Sequence, residues 1–406
     1  MPNINHWLQQ LNPLSSRAIA LKARANPTIL NLSMGEPDFG PPPHLLDAFC
    51  GEDLNAARVL DAVKRYEHPL GGLALREAIA GWYQRRYGIH IDPQREILVT
   101  HGGIEAFSLA LLALTNPGDN VAIADPGYTL YLRAVQLASR RGYILAREPG
   151  GDEYARALLR DPALPVQAIV INSPENPTGY VMSEVDWQAV ARTAAERETW
   201  VIHDEVYDSL AFSRRHLNAW SLPELRQNSV LVNSCSKKFG VPGLRIGWMI
   251  GPALAINAAA RVHESLCLGV NILSENIACR LLNDPQTPAW MAQQSQMLAA
   301  RNSAALALLG EAQGIRWPRQ PMGGMFLFPE VSRLARSLPA RWRDATSDAG
   351  SAVANYLMEV LEIATVPGIA YGPASQHHLR LTNCASESTF RQAIARLATL
   401  SCKEIS

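Results

Sequence analysis

Neither sign of charge predominates in this chain, which carries 37 Lys and Arg against 37 Asp and Glu. A balanced surface sets up no field that would gather nucleic acid or an anionic membrane. Local basic spots such as Arg140-Arg141 and Arg214-Arg215 read as solvated surface. Cysteine is sparse and scattered: Cys50, Cys235, Cys267, Cys279, Cys384 and Cys402 form no C-x-x-C pair. That argues against a zinc site and against a disulfide framework, and fits a reducing compartment. Long apolar runs are missing too. The best candidate, around Trp248–Ala260, is broken by Gly251, Pro252 and Asn257. The first residues, Met1-Pro-Asn-Ile-Asn-His-Trp7, lack the basic-then-apolar layout of a secretory signal. There is no internal repeat and no low-complexity segment. The expectation is a cytoplasmic protein that engages no nucleic acid, membrane or metal.

What is present is ordinary for an enzyme: 406 residues, 48% hydrophobic and 18% charged. That length favours two or three units, or one large α/β domain with an appendage. From about residue 95 to 250, short apolar runs alternate with helical patterns. The strand candidates are Glu96–Thr100, Asn120–Ala124, Ala168–Asn172, Trp200–His203, Val230–Asn233 and Ile246–Ile250. Helical patterns cover Ile104–Leu114, Tyr131–Ala138, Glu184–Arg197 and Ala253–Ser265. The alternation predicts a mostly parallel α/β sheet with helices on both faces, whose ligands sit beyond the carboxyl ends of the strands. Outside that block lie a helical arm, the run Ile29–Leu32, an irregular Gly/Pro loop at 35–43, a helix at Trp290–Leu309, strand candidates Gly324–Phe328 and Leu379–Thr382, and a closing helix Glu387–Leu400. The division expected is 45–289 for a large domain, with 1–44 and 290–406 together forming a smaller α+β domain. The polar stretch Ser337–Ser351 reads as an exposed loop or lid.

The most specific stretch is Asn233-Ser-Cys-Ser-Lys-Lys-Phe-Gly-Val-Pro-Gly-Leu-Arg-Ile-Gly-Trp248. Lys237 follows two serines, and Arg245 comes eight positions later across a Gly/Pro turn. An amine among small hydroxyls, with a guanidinium fork nearby, suits an aldehyde cofactor that carries a phosphate. Taken alone, Lys237-Lys238 is a solvated basic pair; Ser234, Ser236, Gly243 and Arg245 need the other reading. Four more segments follow strand candidates. They are Thr100-His-Gly-Gly-Ile104, a strand-to-helix junction whose exposed N–H groups cradle phosphate; Asp125-Pro-Gly-Tyr128; Asn172-Ser-Pro-Glu-Asn-Pro-Thr-Gly179; and Val201-Ile-His-Asp-Glu-Val-Tyr207. Further on, Arg380 in His377-His-Leu-Arg-Leu-Thr382 offers a planar two-donor partner to a carboxylate.

Together these segments resemble the fold type I pyridoxal-phosphate (PLP) enzymes, specifically the class I/II aminotransferases of the aspartate aminotransferase type. The resemblance runs in order from about Leu32 to Leu397. It implies that Lys237 holds the cofactor as a Schiff base, with Ser234, Ser236, Arg245 and the Gly102, Gly103 and Ile104 backbone around the phosphate. Asp204 is the choice for the carboxylate against the pyridine nitrogen, with Glu205 the runner-up and a plain helix-capping acid the bland alternative. Tyr207 and Asn176 would reach the phenolic oxygen, and Tyr128 would lie on the ring, a contact worth roughly 0.5–1.5 kcal/mol beyond area burial. Tyr66 matches a tyrosine that the family extends to the neighbouring subunit's phosphate, which implies a homodimer with shared sites. Arg380, helped by the Gly35 backbone and by Asn176, would anchor the substrate carboxylate. His101 stands where the family has a small polar residue, and takes no role.

The reaction implied moves an amino group between an L-amino acid and a 2-oxo acid, with the freed Lys237 amine carrying the proton. The same scaffold hosts PLP-dependent lyases, cyclases and oxidases, and a PLP-sensing regulator is the alternative from another class. The segment before Leu32 is short for a DNA-binding module and shows no basic recognition helix. Enzymes acting on dicarboxylates need a further arginine; Arg17, Arg261 and Arg280 are available and match no motif.

Overall fold

Stretches that are apolar at nearly every position, rather than at alternate ones, have to be covered on both faces, and they build the centre of this protein. In the computed structural model, which describes Leu8 and residues 14–45, 63–161 and 165–401, twelve strands are defined. They are β1 (Leu30–Asn31), β2 (Ile97–Thr100), β3 (Asn120–Asp125), β4 (Arg141–Ala146), β5 (Ala168–Asn172), β6 (Trp200–Asp204), β7 (Ser229–Ser234), β8 (Gly247–Ile250), β9 (Phe326–Leu327), β10 (Ile363–Ala364), β11 (Val366–Pro367) and β12 (Leu379–Thr382). Every residue of β2, β5, β7 and β8 is buried. The main sheet has seven strands in the order β2-β8-β7-β6-β5-β3-β4. The pairs β3–β4, β3–β5, β5–β6 and β6–β7 are parallel, while β8 runs antiparallel to both β7 and β2.

That single reversal matters for the site. β2, β3, β5, β6 and β7 all deliver their carboxyl ends to one edge of the sheet. β8 begins there instead: Gly247 pairs with both Thr100 and Ser234. Residues just after the parallel strands and just before β8 are therefore gathered along one line, although they are far apart in sequence.

Helices flank the sheet with recognisable starts and stops. Ser183 caps the helix Glu184–Arg197, its hydroxyl accepting from the Asp186 N–H while the Asp186 carboxylate accepts from the Ser183 N–H. Gly88, in the left-handed conformation, closes the helix Leu73–Tyr87. A second apolar core joins Leu32 to Leu327, Val353, Leu357, Ile363, Leu381, Phe390 and Ile394. Here β1 pairs in parallel with β10, and β11-β12-β9 form a small antiparallel sheet. The chain's early segment is thus tied to its last third.

Two expectations need correction. β4 went unread in the sequence because it is an edge strand with mostly exposed residues, so burial imposes no pattern on it. The stretch Ser337–Ser351 is a loop only in part, at 338–339 and 344–348. It holds the end of the helix Ser332–Ser337, a short helix Ala340–Arg343 and the start of Ala349–Val360. Trp342 packs edge-on against Tyr356, ring centroids 5.9 Å apart, which pins that polar segment to the core. Cys50 and Cys402, the arm residues before Leu14 other than Leu8, and part of the proposed large domain lie outside the described residues. No helix among the described residues is long and apolar enough to cross a membrane.

Candidate active site

A cavity of about 620 Å³ opens at the carboxyl edge of the main sheet. Its lining includes Gly103, Ile104, Tyr128, Asn176, Asp204, Tyr207, Ser234, Ser236, Lys237 and Arg245. Residues spread over more than a hundred positions of sequence therefore converge, as their places after the strands imply.

Lys237 stands on the short helix Cys235–Lys238 that follows β7. Its amine donates to the Gly35 carbonyl and is pushed below its ordinary pKa, chiefly by burial. A buried amine that sheds its proton more easily is the nucleophile and base that carbonyl chemistry needs. Lys238, next to it, is no solvated partner. It is fully buried, donates to Asp208 and lies 5.6 Å from the Trp82 ring centroid. The two lysines divide the work, one facing the cavity and one holding the fold.

Asp204 ends β6 with its carboxyl buried. Tyr131 donates to its Oδ2 at 2.6 Å and the Val206 N–H to its Oδ1 at 3.1 Å. Burial pushes its pKa up to about 6 in spite of these donors. A carboxylate short of positive charge at the floor of a cavity suits a cationic ring nitrogen. Glu205, the runner-up, points away into a closed network and accepts from Tyr83 and, at 3.3 Å, from Asn233. Tyr128 is half-buried, edge-on to Tyr131 at 5.3 Å, with its hydroxyl pushed up to about 12 by burial and then by Asp204. The Tyr207 ring meets Phe326 edge-on at 5.8 Å.

At the junction after β2, Gly102 has φ +84°, and a side chain there would meet Arg245 Nη2 at 2.6 Å. The glycine lets the guanidinium close over the start of the helix Gly103–Leu114. Arg245 itself sits in the left-handed region at φ +54° and donates to the Pro242 and His101 carbonyls, both at 3.0 Å. Backbone N–H groups at a helix start, two serines and a fixed guanidinium make an anion cradle of this corner.

Arg380 on β12 is buried between the Phe326 and Tyr371 rings, 4.4 and 5.2 Å from their centroids. It donates to the Ser33 carbonyl and, at 3.4 Å, to Asn176 Oδ1, while its Nε–H is buried without a partner. An orphaned buried donor on a guanidinium is a place for a carboxylate oxygen. A polar chain joins the two ends of the site: Asn172 Nδ2 donates to the Asp204 carbonyl at 3.0 Å, and Asn172 Oδ1 accepts from the Asn176 N–H at 2.8 Å. Gly35 must be a glycine, since a side chain there would meet Phe326 Cζ at 2.7 Å.

Tyr66 is not brought into the cavity; it is 82% exposed. Sequence reasoning missed Tyr131, whose signal is its place three residues beyond Tyr128 on the same helical turn, and Asn172. It also left Arg17 unplaced, and the structure puts that side chain at the cavity with Glu36.

Residues 27–397 match the family model described as aminotransferase class I and II. A probable N-succinyldiaminopimelate aminotransferase of Mycobacterium tuberculosis is 32% identical over 91% of this chain and 92% of its own. The arginine–pyruvate transaminase of Pseudomonas aeruginosa is 28% identical over 94% of this chain and 92% of its own. Among solved structures, Thermus thermophilus aspartate aminotransferase with maleate superposes with a TM-score of 0.84 at 26% identity, covering 98% of this chain and 99% of that one. The chain belongs to the class I and II aminotransferases and is an enzyme of that kind.

Proposed function

We propose that this aminotransferase binds pyridoxal 5'-phosphate in the cavity at the sheet edge, and that it moves an amino group from an L-amino acid to a 2-oxo acid as a homodimer with shared sites. The observation that carries this reading is one cavity lined by Lys237, Asp204 and the Gly103–Arg245 anion cradle, with Arg380 adjoining through Asn176. Residues 45–289 would form the cofactor-binding domain, and 1–44 with 290–406 the smaller one. When bound, the cofactor supplies an electron sink that lets the substrate's α-proton leave.

The chain's own residues do the rest. Asp204 holds a positive charge at the ring nitrogen, and its buried position makes that pairing strong. Asn176 spends its carbonyl end on Arg380, which leaves its amide donors for the phenolic oxygen together with Tyr207. Tyr128 fixes the ring plane. Ser234, Ser236, Arg245 and the backbone of Gly102, Gly103 and Ile104 take the phosphate, and Tyr66 of the second subunit completes that corner. The Arg380 fork orients the substrate through its α-carboxylate, with the Gly35 backbone nearby. Lys237 then moves the proton, its amine made easier to deprotonate by burial.

Lys237→Ala decides the reading. The purified variant is expected to lose the yellow cofactor absorption and transamination together, by on the order of 10⁴-fold or more in turnover. Acceptor-dependent keto-acid formation by the wild type is the companion measurement. Normal turnover in the variant overturns the role of Lys237, and ammonia release without an acceptor overturns transamination.

A further inference from the structure

Four side chains that the transamination reading leaves idle meet where the helix Gly103–Leu114 packs on the helix Ala253–Cys267. His101 precedes the first helix and Glu105 lies in its first turn. His263 and Cys267 are one turn apart on the second, so they share a face. One potential ligand atom from each lies within 4.8 Å of all the others. We propose that His101, Glu105, His263 and Cys267 form a binding site for one divalent transition-metal ion of the zinc class.

The donor set fits that cation. Two imidazoles, a carboxylate and a thiolate are the ligands tetrahedral zinc takes, at about 2.0–2.3 Å. Bonds of that length put neighbouring ligand atoms roughly 3.3–3.8 Å apart. The contacts already present bracket this range: His101 Nδ1 to Glu105 Oε2 is 3.0 Å, Cys267 Sγ to Glu105 Oε1 is 3.0 Å, and His263 Nε2 to Glu105 Oε2 is 3.8 Å. Small rotations, not backbone movement, would complete the shell. Two neutral imidazoles, one carboxylate and one thiolate also cancel the ion's charge, so little is lost by holding it in a partly buried place.

His263 gives the independent evidence. It is fully buried, and its Nδ1 lies 2.9 Å from the Pro69 carbonyl, an acceptor that only a protonated Nδ1 can satisfy. In the neutral ring the lone pair therefore sits on Nε2, which has no hydrogen-bond partner and lies 3.8 Å from Glu105 Oε2, an oxygen that also accepts from the His101 N–H. Two acceptors facing each other in a buried place call for a cation between them. A carbonyl that fixes the far ring nitrogen is also the usual support of a ligating histidine. His101, its side chain 39% exposed, leaves a route for the ion to enter. In the other cluster of this type, His203, Glu205 and His216, Glu205 Oε1 is held by Tyr83 and Asn233, neither of which belongs to the cluster.

Binding exchanges the Cys267 thiol proton for a sulfur–metal bond and releases that proton to solvent; nothing is oxidised or reduced. The ion would tie the helix that starts at the anion cradle to the helix Ala253–Cys267 and, through His263, to the segment after Tyr66. No sequence motif announces such a site, because its ligands come in two pairs from distant parts of the chain.

The test uses the full-length, cofactor-loaded protein, stripped with a chelator and then titrated with zinc against a chromophoric competitor. Cobalt(II) serves in parallel as the spectroscopic probe. About one ion per chain is expected, with the intense visible bands of tetrahedral cobalt and a thiolate charge-transfer band. Cys267→Ser and His263→Gln should each weaken binding on the order of 10-fold or more, and the double variant should bind none. Uptake by the wild type below about a tenth of an equivalent overturns the site. So does undiminished uptake by a double variant whose circular dichroism is native. Should the variants not fold, the wild-type cobalt spectrum decides alone: weak octahedral bands without a thiolate transition refute the site.

Discussion

Asp204 keeps a raised pKa because burial strips water from its carboxylate faster than the Tyr131 hydroxyl and the Val206 N–H replace it. Its ordinary value is 3.8 and its value here is about 6. Between those pH values the folded, cofactor-free enzyme holds a proton that the unfolded chain has released. The native state binds more protons, so stability falls as pH rises from about 4 to 6, by on the order of 3 kcal/mol from this group. Urea unfolding of the cofactor-free protein at both ends of that range should show the decline, and Asp204→Asn should flatten it. An unchanged slope in the variant removes Asp204 as its source.

Lys237, Asn176 and Asp204 could be singled out in the sequence because each closes or follows a strand candidate within a segment that resembles the family, and all three line one cavity. Arg17 was not legible, since nothing around it in the chain marks it. It lines the cavity beside Glu36, and Glu36 is already paired with Arg24 at 2.9 Å. Among the described residues, Arg17 is thus a cation of the cavity lining that Glu36 does not neutralise. Arg17→Ala should raise KM for acidic amino acids about tenfold, or about 1.4 kcal/mol, and leave KM for alanine nearly unchanged. Steady-state kinetics on the two substrate types checks this, and an equal change for both refutes a carboxylate-selective role.

At the scale of elements, the loop Asn172–Gly179 shows how a turn becomes a fixed platform. The two prolines and the glycine were readable as rigidity, but the anchor comes from elsewhere in the chain. Glu175 is buried in that loop and is held by Arg147, by the Tyr154 hydroxyl at 3.2 Å and by Thr178. Arg147 also reaches Glu153 at 3.3 Å, and Arg319 bonds Glu153 at 2.8 Å. Burial alone would lower the Arg147 pKa, yet the paired carboxylates raise it above its ordinary value. Removing one member of such a buried cluster leaves the others uncompensated. Arg147→Met should therefore cost about 3–5 kcal/mol of stability and loosen Asn176. Chemical denaturation measures the first effect, and a rise in KM for every amino acid measures the second. The buried strands of the main sheet were equally plain in the sequence, whereas β4, the two-residue strands β10 and β11 and the helices within Ser332–Val360 were not. Exposed or polar segments take their structure from what they pack against, as Trp342 does from Tyr356.

For the whole molecule, one side chain remains out of place. Tyr66 was singled out for the cofactor's phosphate, yet it stands 82% exposed and outside the cavity of its own subunit. A ring so exposed is free to meet another chain, as the proposed homodimer requires. Its neighbours support that reading: the segment after it is anchored, with Glu275 accepting from the Gly72 N–H at 3.0 Å and His263 meeting Pro69. The tyrosine is thus presented from a fixed base. If Tyr66 serves the second subunit, two damaged parents can repair each other. Tyr66→Ala chains retain Lys237, and Lys237→Ala chains retain Tyr66. A hybrid dimer then holds one site with Lys237 from one chain and Tyr66 from the other, intact in both respects. Random mixing of equal amounts places about one site in four in that state, so the mixture should turn over well above the sum of the separate parents. If Tyr66 serves its own subunit, no hybrid site is intact and mixing gains nothing. Co-refolding the two variants at several ratios separates these outcomes, with activity peaking near equal proportions only when the site is shared.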